Sequence, residues 1–128
     1  ELWTGDIDRA VTFYGKLAPY QMERRNLGTG NESIDYVVMQ TQQQKRGGIR
    51  ANPFKGLPPI WVNYLQIPDD AELDRILAKV ESLGGEILVP AASRPSGGTV
   101  AMIAGPSGAG IALQTWTNEE QLAKFGEQ

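Results

Sequence analysis

The sequence repeats one order of elements, and that repetition limits the fold more than any other feature. Leu73, Ile76, Leu77, Val80 and Leu83 follow the spacing that keeps apolar side chains on one helical face. Asp69, Asp70 and Glu72 stand where a helix N-terminus favours negative charge, and Gly84-Gly85 supplies a stop. A second stripe runs through Ile7, Ala10, Val11, Tyr14 and Leu17, with Asp6 or Asp8 as cap and Pro19 beyond its end. The two helices echo each other, Asp8-Arg9-Ala10-Val11 against Asp74-Arg75-Ile76-Leu77.

Each helix is preceded by one strand-like run and followed by three. The first set is Leu2 to Gly5, then Tyr20 to Asn26, Ile34 to Gln40 and Gly47 to Arg50; the second is Trp61 to Ile67, then Glu86 to Val89, Thr99 to Ala104 and Gly110 to Trp116. The expected fold class is therefore α+β, built from two βαβββ modules whose helices cover one face of their sheets. The modules take residues 1–50 and 61–116 of a single domain, joined by a connector over 51–60 rich in proline and glycine, with a tail over 117–128. In that tail Asn118-Glu119-Glu120-Gln121 has capping-box spacing and predicts a short helix. Gln40 to Gln44 reads as a polar hairpin loop, and Gly105-Pro106-Ser107-Gly108-Ala109-Gly110 as a hairpin turn that lacks the ending of a phosphate-binding loop.

Composition narrows the chemistry. There is no histidine and no cysteine among the 128 residues, which removes imidazole and thiolate catalysis, disulfides and thiolate zinc sites from this segment. The formal charge of -3, without a basic block, speaks against nucleic acid and acidic membrane surfaces as partners. No apolar run approaches the ~20 residues of a membrane span. The compartment stays open, with the cytoplasm slightly favoured, and the opening on Glu1-Leu2-Trp3 without an initiator methionine suggests residues upstream.

The doubled unit, with the words Asp6-Ile7-Asp8-Arg9-Ala10, Phe13-Tyr14-Gly15, Trp61-Val62-Asn63-Tyr64, Ser82-Leu83-Gly84-Gly85-Glu86 and Gly105-Pro106-Ser107-Gly108-Ala109, resembles the vicinal oxygen chelate superfamily of glyoxalases, bleomycin-resistance proteins and extradiol dioxygenases. The resemblance covers nearly the whole chain and departs at Gly105, where the family's turn has aspartate. It implies a curved mixed sheet forming a cup, in which His, Glu or Gln side chains hold a divalent metal. Carried onto this sequence, the ligand positions fall near Val62, on Ala112, in Gly47-Gly48-Ile49, and upstream of Glu1. None of the three within the chain offers a donor, so the sequence is closest to the metal-ligand-poor branch and no metal or other cofactor is expected.

Strand alternation gives an independent view of the cup lining. Leu65, Ile67, Ile111 and Leu113 should face the helices, leaving Val62, Tyr64, Gln66, Gly110, Ala112, Gln114 and Trp116 on the opposite face. Tyr36 and Met102, at corresponding places in the third strand of each half, join them. The candidate ligand-binding residues are Tyr36, Arg50, Tyr64, Met102, Gln114 and Trp116, an aromatic, small and amide-bearing set suited to a flat or partly apolar molecule. An amphipathic core or interface role would also suit Tyr64 and Trp116, and a solvated edge would suit Arg50. No catalytic residue is assigned. The expected function is metal-free binding of a small molecule; the alternative is a metal-dependent lyase, isomerase or dioxygenase whose ligands lie outside the segment. Exposed sheet edges make a homodimer, or pairing with a second similar domain, the expected assembly.

Overall fold

The computed structural model describes residues 1–28, 30–94 and 98–115. It is α+β, and divides into one compact unit over Glu1–Trp61 and a second beginning at Val62.

In the first unit, β1 (Leu2–Thr4) leads into α1 (Ile7–Leu17), followed by β2 (Gln21–Leu27), a single 3-10 turn at Gly30–Glu32, β3 (Ile34–Thr41), β4 (Gln44–Ala51) and β5 (Ile60–Trp61). The strand order is β2-β3-β4-β1-β5. The β1–β4 pair is parallel and the others are antiparallel. Asp6 caps α1 by accepting from the Arg9 amide at 3.0 Å, and the helix stops at Ala18, ahead of Pro19, which has no amide to continue it. Its inner side, Ile7, Ala10, Val11 and Tyr14, packs on Leu2, Val37, Met39 and Ile49 of the sheet. Period-two alternation therefore assigns Leu2, Val37, Met39 and Ile49 to the helix face and Trp3, Tyr36, Val38, Gly48 and Arg50 to the open face.

The polar loop after β3 is a two-residue hairpin in which Gln42 and Gln43 both take positive φ, 51° and 64°. That is the handedness that matches strand twist, here adopted without glycine. The connector is irregular, as its prolines require, and it folds back on β1: Asn52 donates from its amide nitrogen to the Leu57 carbonyl, its backbone N–H bonds Thr4, and the Phe54 ring lies 5.7 Å from Trp3.

The second unit contains β6 (Tyr64–Gln66), α2 (Asp70–Val80), β7 (Glu86–Ser93), β8 (Thr99–Ala104) and β9 (Gly110–Gln114), in the order β6-β9-β8-β7 with a parallel β6–β9 pair. Asp69 caps α2 through the Glu72 amide at 2.7 Å. The helix closes in a Schellman motif: Gly84, at φ 91°, donates to Glu81, and Gly85 donates to Val80. A Cβ on Gly85 would lie 2.6 Å from the Ala104 carbonyl oxygen, so glycine is required there by close approach of two backbones. Leu73, Ile76 and Leu77 pack against Ile67, Ala101 and Leu113, and each fully buried aliphatic side chain contributes about 1.5–3 kcal/mol.

Three strands differ from the expected bounds; β4 begins at Gln44, not Gly47, because the turn needs only Gln42 and Gln43. The run Trp61 to Ile67 is not continuous: Ile60–Trp61 pairs with β1 in the first sheet, and Tyr64–Gln66 pairs with β9 in the second. A strand read from its side chains alone carries no information on which partner takes each part of its backbone. The strand after α2 runs past Pro90 to Ser93, because Pro90 lies on an edge strand where the register shifts and no ladder donor is lost. Trp116 and the expected C-terminal helix lie outside the described residues. No helix among the described residues is long and apolar enough to cross a membrane.

Candidate functional site

The open face of the first sheet carries a row fixed by register: Arg25 opposite Tyr36, Tyr36 opposite Arg50, and Arg50 opposite Trp3. The Glu1 carboxylate ties part of this row together, accepting from the Tyr36 hydroxyl at 2.7 Å and from the Trp3 indole N–H at 2.8 Å. Trp3 is buried, 3 % exposed, while Tyr36 and Arg50 are partly exposed. The Tyr36 ring lies across Gly48, and a Cβ there would fall on the Tyr36 hydroxyl. Arg25 is engaged by Glu23 at 2.9 Å, and that hydrogen bond holds the Glu23 carboxyl below its ordinary value. Arg50 donates from Nε to the Ala51 carbonyl at 3.2 Å, and among the described residues no carboxylate pairs with it.

On the helix side, Arg24 bridges Asp35 at 2.9 Å and Asp8 at 2.8 Å. The Arg24 hydrogen bond lowers the Asp35 value, and the same contact raises that of Arg24. These groups brace α1 against β2 and β3 and stand on the opposite face from the row.

The open face of the second sheet carries Tyr64, Ala112 and Met102 in one row, with Gln66, Gln114 and Val100 in the next. Ala112 is fully buried and Gln114 is 4 % exposed. The buried Gln114 amide is satisfied when its oxygen faces Arg94, whose Nε then donates at 2.6 Å and whose terminal nitrogens donate as well. Thr115, also buried, accepts from the Thr99 amide and donates to Asp70 Oδ1 at 2.8 Å, joining the end of β9 to the first turn of α2.

The candidate residues thus fall into two sets. Tyr36 and Arg50 are direct cross-strand neighbours in the first unit; Tyr64, Met102 and Gln114 share one face in the second. Met102 stands opposite Ala112 as Val38 stands opposite Gly48, so the third-strand residue corresponding to Tyr36 is Val100, two positions from Met102. Glu1, Trp3, Arg94 and Thr115 escaped sequence reasoning. Alternation around the core residue Leu2 carries the signal for Glu1 and Trp3; Arg94 follows a strand that reads as ending at a proline.

A divalent metal needs several hard or borderline donors converging on one point. Among the described residues no three carboxylates do so. Val62 is buried and aliphatic, Ala112 is buried and has only a methyl group, and the space above Gly48 holds the Tyr36 ring. The residues at these positions do not fit such a metal.

A helix laid on a sheet with a parallel β1–β4 or β6–β9 pair, occurring twice in one chain, is the glyoxalase-like arrangement. The chain is similar in fold to methylmalonyl-CoA epimerase from Mycobacterium tuberculosis, with a TM-score of 0.62 at 13 % identity over 93 % of this chain and 86 % of that one. It is equally similar to the hypothetical protein BH1468 of Bacillus halodurans, TM-score 0.62 at 11 % identity over 91 % of each chain. In sequence it is 30 % identical, over 109 residues and 85 % of its length, to CFP32, a protein of M. tuberculosis and M. bovis named as a candidate glyoxylase. The chain spans 40 % of the length of those relatives. No protein-family model matches it. This fold and these relatives support placing the chain in the vicinal oxygen chelate superfamily.

Proposed function

We propose that this glyoxalase-like chain binds a small, partly aromatic or apolar molecule without a metal. The observation that carries the reading is the state of two matching positions. Gly48 precedes Ile49 on β4 and Ala112 precedes Leu113 on β9, the buried aliphatic residues of the strands that pair in parallel with β1 and β6, and neither has a donor. Tyr36, Arg50, Tyr64, Met102 and Gln114, with Trp116, are the proposed ligand-binding residues. They offer aromatic surface and a few hydrogen-bonding groups, the lining typical of small-molecule sites.

A second reading, a metal-dependent lyase, isomerase or dioxygenase, draws on the length of the relatives: residues outside the chain could supply ligands. The same length supports pairing with a second similar domain, or a homodimer, which sedimentation at high micromolar concentration tests. A thermal-shift screen of the full-length protein against small aromatics, antibiotics and thiol conjugates, with and without EDTA, separates the two readings. Metal-free binding gives a raised Tm that EDTA leaves unchanged, since a ligand taken only by the folded state stabilises it. Stabilisation abolished by EDTA and restored by one divalent metal would overturn it.

A further inference from the structure

The first sheet allows the ligand class to be narrowed, on the footing of the binding reading above. Along the row Arg25–Tyr36–Arg50–Trp3, each polar group but one is engaged by a neighbour. Glu23 holds Arg25, and Glu1 takes hydrogen bonds from Tyr36 and Trp3 with its two oxygens. Arg50 is different. Its Nε is turned to the Ala51 carbonyl at 3.2 Å, which leaves both terminal nitrogens without a protein acceptor among the described residues. A guanidinium cannot shed its charge, and two terminal N–H groups in one plane match the two oxygens of a carboxylate.

The neighbours of Arg50 sharpen the choice. Tyr36 and Trp3 flank it across the strands, so aromatic residues stand on both sides of the cation. The other cation of the row, Arg25, is already paired with Glu23, and the Glu1 carboxylate is taken up by the Tyr36 and Trp3 donors, so Arg50 is the one guanidinium of the row that no carboxylate among the described residues engages. That suits a monoanion with an apolar body better than a phosphate dianion, which takes up several donors or cations. We infer that the face of the first sheet opposite α1 takes a planar carboxylate, anchored end-on by the Arg50 guanidinium with its apolar body toward the partly exposed Tyr36 ring, next to the buried Trp3.

Benzoate and benzamide, equal in shape and different in charge, test this when titrated into the protein while the indole N–H resonance of Trp3 is followed by NMR. Millimolar benzoate should shift that resonance saturably and benzamide should not. Arg50→Gln, with the dispersion of the Trp3 signal as a check on folding, should weaken benzoate by about tenfold or more, the value of a hydrogen bond to a charged group. Arg50→Lys should restore part of the affinity, because charge remains and the fork is lost. Equal shifts from the two probes, no saturable shift with benzoate, or Arg50→Gln binding within about twofold of the parent would overturn the inference. Failure of the underlying reading looks different: neutral aromatics and carboxylates alike then leave the Tm of the parent protein unchanged.

Discussion

The two units share one order of elements and put it to different uses. In the second, α2 buries Leu73 and Val80, closes with a Schellman motif, and is tied to β9 through Thr115 and Asp70. In the first, no residue of α1 is fully buried; the helix leans on the sheet through partly exposed Ile7, Ala10, Val11 and Tyr14, and is braced by the surface bridge from Arg24 to Asp8. The open faces differ in the same spirit. The first carries Tyr36 folded over a glycine and Arg50 with no carboxylate partner among the described residues; the second sets Tyr64 beside a methyl group and a methionine and uses its guanidinium, Arg94, to satisfy a buried amide. A repeated topology fixes backbone positions and leaves each copy to distribute stability and chemistry separately.

The largest expected differences concern packing. Leu73→Ala should destabilise by about 2–5 kcal/mol in urea unfolding, whereas Ile7→Ala, at a partly exposed position of α1, should cost about 1 kcal/mol. Equal costs would break the contrast between the helices. Next come the glycines. Gly85→Ala forces a methyl group against the Ala104 carbonyl and should cost about 1–3 kcal/mol or somewhat more, since backbone must yield. Gly48→Ala meets a ring that can swing away; it should cost less and show itself as loss of the Tyr36–Glu1 hydrogen bond, read from the Tyr36 ring resonances. The caps should be alike: Asp6→Ala and Asp69→Ala each lower stability by about 1 kcal/mol.

The smallest effect is the pH dependence of the first unit. The Arg24 hydrogen bond holds the Asp35 carboxyl below its ordinary value, so the contact stabilises the fold above the unfolded value and is lost as pH falls through the lower folded one. Both partners are exposed, so the loss should be small and screened by salt. A slope in acid stability that persists in Arg24→Ala would assign it to other carboxylates.

Much of the shared frame was written in the sequence, because it rests on period and punctuation. The apolar stripes, Asp6 and Asp69, and Gly84-Gly85 mark both helices, and alternation around Leu113 sets Ala112 and Gln114 on one face. Pairing partners were not legible. Trp61 and Tyr64 sit three residues apart yet belong to different sheets, and Pro90 reads as an end although an edge strand tolerates it. The engagement of the candidate side chains was hidden for the same reason: Tyr36 with Glu1 and Gln114 with Arg94 are contacts between residues distant in the chain, which periodicity does not encode.

The most direct test of the metal-free reading is the metal content of the full-length protein, purified without chelator from cells grown with added manganese, iron and zinc and measured by plasma mass spectrometry. The reading predicts well under one equivalent of any divalent metal and ligand binding unchanged by EDTA. One tightly held equivalent, lost together with binding or turnover on chelation, would contradict it.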